Sequence, residues 1–243
     1  MMKVVAVIPA RYGSTRFPGK PLATIQGKTM IEHVYTKVLA ARKIDEVWVA
    51  TDDQRIVDEV SSFGGKCILT SANHQTGTDR IAECAESLAA DIIINVQGDE
   101  PLIKGSMIDR LVEAFEDHND LKMATFKSKI KDQSTVNDPN IVKVITNQAG
   151  FAIYFSRYAI PFNRDGREDL TYFKHLGIYG FKSSFLKEYV SLEQSPLELF
   201  ESLEQLRALE NGIQIKVIDT EETLISVDTP EDLKLVEEYL NKN

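Results

Sequence analysis

The sequence predicts an α/β fold: a mostly parallel, mixed sheet flanked by helices. Three observations carry this. Short β-branched runs alternate with helical segments through the first half of the chain. Those runs are apolar and bounded by proline or glycine, as buried strands are. The chain has 243 residues, 43% of them hydrophobic, enough for a well-buried core in one α/β domain.

Taken in order, "KVVAVIP" is a buried strand ended by Pro9. "TMIEHVYTKVLAARK" (29–43) has apolar residues at 30, 31, 34, 38 and 39, which is helical spacing. "EVWVAT" is a strand and "DQRIVDEVSSFG" a helix closed by Gly64. "KCILT" and "DIIINVQ" are strands on either side of the helix "GTDRIAECAESLAA", and "SMIDRLVEAFED" is helical again. Near residue 120 the rhythm changes. "KMATFKSKI", "IVKVITN", "GFAIYFSR" and "HLGIYGF" are closely spaced strands, with a loop over 162–174. Two helices follow, "SSFLKEYVSL" and "PLELFESLEQLRALENG", then the strand "IQIKVIDT" and a last helix, "TPEDLKLVEEYLNK". One continuous domain over 1–243 is expected. Residues 1–120 would be mainly nucleotide-binding; 121–243 would complete the sheet and supply a second-substrate part and a dimer face.

Composition excludes several classes. There are 28 Lys and Arg against 37 Asp and Glu, a net charge of −9, which argues against a general nucleic-acid binder. No apolar run approaches the ~20 residues of a membrane span. The start "MMKVVAVIPA" reads as a strand rather than a signal peptide. Cys67 and Cys84 suggest neither a disulfide framework nor a zinc site, so a reducing cytoplasm is the expected compartment.

Against that acidic total, residues 1–31 hold Lys3, Arg11, Arg16, Lys20 and Lys28 and no carboxylate. Three of these lie in "IPARYGSTRFPGK", at the carboxyl end of the first strand, where open α/β sheets bind ligands. Gly13 and Gly19 allow close backbone approach, and the prolines stiffen the loop. Arg offers phosphate a planar fork and Lys a point charge. A Walker A loop needs four residues between its glycines and a hydroxyl after Lys. Here five residues intervene and Pro21 follows Lys20. The dinucleotide fingerprint is also missing. The loop therefore binds polyanion chiefly through side-chain charge.

Other candidates follow from position. Asp99 ends an inner strand on the edge of the basic loop, and magnesium prefers carboxylate and phosphate oxygens. Gln97 has both a donor and an acceptor, as a base contact requires. "HQTGTDR" opens a helix, so Thr76 or Thr78 can cap it while its N-terminus attracts anions. In "SVDTPEDL", Thr229 caps, Pro230 begins the helix and Asp232 completes a capping box, which leaves Asp228 over.

"PARYGSTRFPGKPL" resembles the signature of the sugar-activating cytidylyltransferases. "ATDD", "HQTGTDRIAE", "NVQGDEP", "YFSR", "HLGIYGF", "LEQLR" and "VDTPEDL" occur in that family's order, over essentially the whole chain. The ordered set is most similar to the branch that uses 3-deoxy-manno-octulosonate (Kdo). The resemblance implies a Rossmann-like, nucleotide-diphospho-sugar transferase-like fold and transfer of CMP from CTP to Kdo with magnesium, for lipopolysaccharide. It implies a homodimer. It makes Arg11, Arg16 and Lys20 triphosphate ligands, places Thr78, Arg80 and Gln97 at the nucleotide, and makes Asp228 the second metal carboxylate beside Asp99. Arg157, Arg164, His175 and Tyr179 match its sugar-side positions, and Glu204 and Gln205 its contacts to sugar hydroxyls. For His175 and Tyr179 the ordinary alternative is strand packing, and for Glu204 and Gln205 an exposed helix face. His33 and His118 read as surface residues; His74 stays unassigned. The short segment between Arg164 and His175 keeps 8-amino-Kdo open as an alternative sugar, and sialic acid is a further one. A CTP-binding regulator without turnover is the non-enzyme alternative, but paired metal carboxylates serve no purpose in a pure binder.

Overall fold

The computed structural model describes residues 2–13, 17–222 and 224–242. They form two compact units. One comprises the described residues of 1–113, 180–190 and 223–243, the other 114–179 and 191–222.

The first unit opens with β1 (Val4–Ala10), almost wholly buried. A hairpin of β2 (Thr24–Ile25) and β3 (Lys28–Thr29) precedes α1 (Met30–Leu39). Then come β4 (Glu46–Thr51), α2 (Gln54–Ser62), β5 (Cys67–Leu69), α3 (Gly77–Leu88) and β6 (Ile92–Asn95). The strands are parallel in the order β6-β1-β4-β5, with Val5 opposite both Ile93 and Glu46, and Val49 opposite Cys67. Parallel strands covered by helices must be apolar on both faces, which is why β1 and β6 are runs of Val, Ile and Ala. The helices start where the sequence caps them. Thr29 accepts from the Glu32 N–H, Asp53 from Arg55 N–H, and Thr76 forms a capping box with Asp79.

Helix α1 ends earlier than its periodicity predicts. The Asp109 carboxylate accepts from the N–H groups of Arg42 (2.7 Å) and Lys43 (2.9 Å), so these donors leave the helix. Asp109 lies on α4 (Gly105–Asp117), whose first residue must be glycine: a Cβ there would lie 2.7 Å from the Ala41 nitrogen.

The second unit contains β7 (Met123–Lys129), β8 (Lys143–Thr146), β9 (Ala152–Ser156) and most of β10 (Phe173–Lys182). β8 pairs antiparallel with β9 and β10. Helix α5 (Ser183–Ser191) follows, almost all of it in the first unit. The long helix expected over 196–212 is two helices, α6 (Pro196–Glu201) and α7 (Leu206–Glu210), broken at Ser202 with φ 51°. The break lets Arg207 reach back to Glu198 with bonds of 2.7 and 2.5 Å, both side chains buried. On a continuous helix, nine residues would separate them by about 13.5 Å. β11 (Ile215–Asp219) then pairs parallel with β7.

The chain returns to the first unit with α8 (Pro230–Lys242). A small core of Ile25, Met30, Leu102, Val227 and Val236 packs this helix beside the β2–β3 hairpin and fixes the segment just before it.

Candidate active site

At the carboxyl ends of β1 and β6 lies a cavity of about 400 Å³, lined among others by Arg11, Lys20, Gln97, Asp99 and Asp228. Lys20 begins a single 3-10 turn directly after Gly19, whose φ of 71° suits only glycine without strain. The Gly19 N–H bonds the Tyr12 carbonyl at 2.9 Å, closing the stem of the basic loop. The Arg55 guanidinium covers the Tyr12 ring at 3.3 Å while pairing with Asp53, so the second acid of "ATDD" supports the loop from behind. Arg16 lies outside the described residues.

The Lys20 ammonium lies 2.6 Å from Asp99 and 3.4 Å from Asp228. The two aspartates thus meet across 129 positions of sequence. Asp99 is held by its carbonyl, which accepts from Val227 N–H at 2.9 Å. Around Asp228 the expected cap forms: Thr229 N–H donates to Asp232 at 2.8 Å, and Asp232 N–H donates back to the Thr229 hydroxyl at 3.3 Å. The Asp228 N–H also donates to Asp232, at 3.0 Å, leaving the Asp228 carboxylate to face Lys20. Among the described residues no group of three His, Cys, Asp or Glu is arranged around a metal position. A pair of carboxylates beside a phosphate site is nonetheless the usual protein share of a magnesium site, where substrate oxygens and waters supply the rest. The donor set fits that ion.

Two glycines shape the floor. A Cβ on Gly98 would lie 3.0 Å from the Pro9 carbonyl, and one on Gly77 3.3 Å from the Pro9 ring. Gln97 donates to Asn95 at 3.2 Å, which orients its amide. Thr78 is buried in the first turn of α3. Arg11 donates to the His74 and Thr76 carbonyls, so its guanidinium is braced toward the start of α3. His74, unassigned by sequence, bonds Glu83 on α3; the hydrogen bond holds the Glu83 carboxyl below its ordinary range. Arg80 goes elsewhere. It is fully buried, bonds the Thr70 hydroxyl and lies 3.1 Å from Asp52, and it does not line the cavity, while its Nε has no hydrogen-bond partner among the described residues.

The sugar-side residues all fall in the second unit. His175 on β10 is packed against Phe155 (5.1 Å) and Tyr179 (5.4 Å), and its Nε2 lies 3.0 Å from the Thr125 hydroxyl. That hydroxyl also contacts the carbonyls of Leu176 and Ile178. With its one proton given to a carbonyl, Thr125 accepts from His175 Nε2–H, leaving Nδ1 as acceptor. Burial pushes the imidazole pKa down to about 3. Burial, with the Glu204 charge, pushes the Tyr179 phenol well above its ordinary value. Both rings are neutral near pH 7, so Tyr179 keeps an O–H. Gln205 is buried and its Nε2 has no hydrogen-bond partner among the described residues. Glu204 and Gln205 stand in the turn between α6 and α7, not on the helix face the sequence suggests.

Arg157 and Arg164 are placed differently. The Arg157 guanidinium donates to the carbonyls of Glu201 (2.6 Å), Pro139 (2.8 Å) and Ser202 (3.2 Å), so three of its five N–H groups brace the α6–α7 turn and the chain before β8. Arg164 is exposed in the 161–171 loop. Thr125, which sets the His175 tautomer, escaped the sequence reading, since a threonine in a buried strand carries no signal of its own.

The cytidylyltransferase family model matches residues 5–217. A 3-deoxy-manno-octulosonate cytidylyltransferase of Trichlorobacter lovleyi is 51% identical over 99% of this chain and 100% of its own length. One from Fusobacterium nucleatum is 51% identical over 100% of this chain and 98% of its own. The solved structure of a CMP:2-keto-3-deoxy-manno-octonic acid synthetase complexed with CTP superimposes with a TM-score of 0.95 at 44% identity, covering 99% of both chains.

Proposed function

The chain belongs to the cytidylyltransferase family, and on that premise we propose that it transfers CMP from CTP to Kdo, giving CMP-Kdo and pyrophosphate for lipopolysaccharide synthesis. One observation carries the reading: a lysine of an acid-free loop meets two distant aspartates in a cavity that also holds Arg11 and Gln97. In the reaction the anomeric hydroxyl of the sugar attacks the α-phosphorus of CTP, the new C–O–P bond forms, and pyrophosphate leaves. Such transfers are accelerated mainly by positioning and charge stabilisation. Arg11 and Lys20 supply cations for the triphosphate, and charge moving to the leaving oxygens strengthens these contacts in the transition state. Gln97 suits the cytosine edge. Asp99 and Asp228 would hold magnesium, which neutralises phosphate charge and helps ionise the attacking hydroxyl. In the second unit, Tyr179 O–H, His175 Nδ1 and the Gln205 amide are suited to sugar hydroxyls and carboxylate.

We further assign the enzyme to the cytoplasm as a homodimer. No helix among the described residues is long and apolar enough to cross a membrane. Cys67 and Cys84 are free thiols, with burial raising their pKa to about 11 and about 12. The second unit exposes Phe200 (87%), Phe162 (80%) and Tyr158 (75%), apolar surface of the kind a partner covers. The test of function is mass spectrometry of products from CTP with Kdo, 8-amino-Kdo and sialic acid. CMP-Kdo should dominate, and ATP or GTP should give far less product. Equal use of all three nucleotides, or no pyrophosphate with any sugar, would overturn the assignment.

A further inference from the structure

Residues 224–228, which deliver Asp228, form no helix or strand, so no ladder of backbone bonds sets their register. Two contacts do. The Val227 N–H donates to the Asp99 carbonyl at 2.9 Å, and the Ser226 hydroxyl donates to the Glu100 carboxylate. Residue 99 thus meets 227 and 100 meets 226, an antiparallel register whose next pair is Gly98 with Asp228. Glu100 is 6% exposed. A carboxylate is costly to bury, and a charge-assisted bond from a hydroxyl is among the stronger ways to offset that. A slip of one residue would move Asp228 by up to about 3.5 Å along the chain, out of its place beside Lys20 and Asp99. Ser226 and Glu100 flank the two aspartates in the chain and bond to each other, though neither lines the cavity.

We propose that the Ser226–Glu100 hydrogen bond is a register pin. It makes both residues positioning residues that set how Asp99 and Asp228 share a divalent cation. This rests on the magnesium role given to those aspartates above.

The test is Mn²⁺ affinity of the enzyme–CTP complex without sugar, so that nothing turns over, followed by water-proton relaxation. Thermal melting checks the fold, and CTP binding in EDTA provides a metal-free reference. Ser226→Ala should weaken Mn²⁺ roughly 10-fold, in the range of other outer-sphere supports of metal ligands, and leave metal-free CTP binding unchanged. Ser226→Thr, which keeps a hydroxyl, should restore Mn²⁺ affinity. Should Ser226→Ala fail to fold, Ser226→Cys, a weaker donor of similar shape, should show a smaller loss in the same direction. Wild-type Mn²⁺ affinity in the Ser226 variants, with affinity lost in Asp228→Asn, would overturn the pin and leave the metal assignment standing. Wild-type affinity in Asp228→Asn as well would overturn the metal assignment, and the pin with it.

Discussion

Lys20 is one ammonium shared by two carboxylates, with its side chain only 15% exposed. In the proposed role, its removal would take away a contact to the reacting phosphates and leave two aspartates facing one another. Lys20→Ala should therefore lower kcat by roughly 10²–10³, as loss of a transition-state charge contact does, with CTP binding weakened less. Steady-state kinetics with a CTP titration check this, and wild-type turnover would make Lys20 a bystander. Arg157 gives the opposite kind of prediction. Three of its five guanidinium N–H groups hold main-chain carbonyls, so Arg157→Ala should cost about 1–3 kcal/mol of stability. Among molecules still folded, the Michaelis constant for Kdo should stay near wild type; urea melts alongside kinetics separate the two effects. The place of Lys20 and Asp99 in the cavity wall was legible because loop charge and strand-end position are local properties. The tie of Arg157 to the turn at Ser202 was not, because main-chain carbonyls accept bonds without any trace in the sequence.

At the scale of elements, the cap of α8 and the carboxylate before it do separate jobs. Thr229 and Asp232 complete the cap by themselves. Asp228→Asn should keep the wild-type melting temperature and CTP affinity and lose most activity, whereas a purely capping role predicts a nearly silent change. β10 carries the pH prediction. Burial holds its His175 imidazole pKa down to about 3 in the fold, against an ordinary value of 6.5 when unfolded. Between those values the unfolded chain binds the extra proton, so stability is full above pH 6.5 and falls as pH drops through this window. The slope should approach about 1.4 kcal/mol per pH unit. His175→Gln should remove that contribution, measured by urea unfolding from pH 7 to 5, above the range where carboxylates with lowered pKa such as Glu46 and Glu83 add their own. Most elements could be read from the sequence, because apolar periodicity and caps reflect the same burial that builds them. The α6–α7 break could not. "PLELFESLEQLRALENG" has a helix-compatible pattern throughout, and only the buried Glu198–Arg207 pair decides for two helices.

For the whole molecule, the change of rhythm near residue 120 lies close to the change of compact unit after Glu113. The return of 180–190 and 223–243 to the first unit is carried by long-range contacts, which leave no periodicity. The same return brings Asp228 to Asp99, a meeting that family resemblance anticipated and periodicity did not. Oligomeric state is tested at this scale too. Sedimentation should give about twice the chain mass of 27.3 kDa, and Phe200→Glu on the exposed apolar surface should shift the equilibrium toward monomer with the fold intact. A wild-type monomer would refute the dimer.

A lysine lodged between two acids also has a kinetic meaning. In the free enzyme the seat between Asp99 and Asp228 already has a positive tenant, so a divalent cation arriving alone must compete with a tethered amine. A nucleotide changes the contest, because its phosphates offer that amine other oxygens. Substrate addition should therefore be ordered, the ion entering with the triphosphate and the sugar last. Mn²⁺ should bind the free enzyme at least roughly tenfold more weakly than the enzyme–CTP complex, and Lys20→Ala should narrow that gap by strengthening binding to the free form, since it removes an opposing charge close to the ion. Equal affinities in both forms of the wild-type enzyme would mean the amine yields its place without resistance.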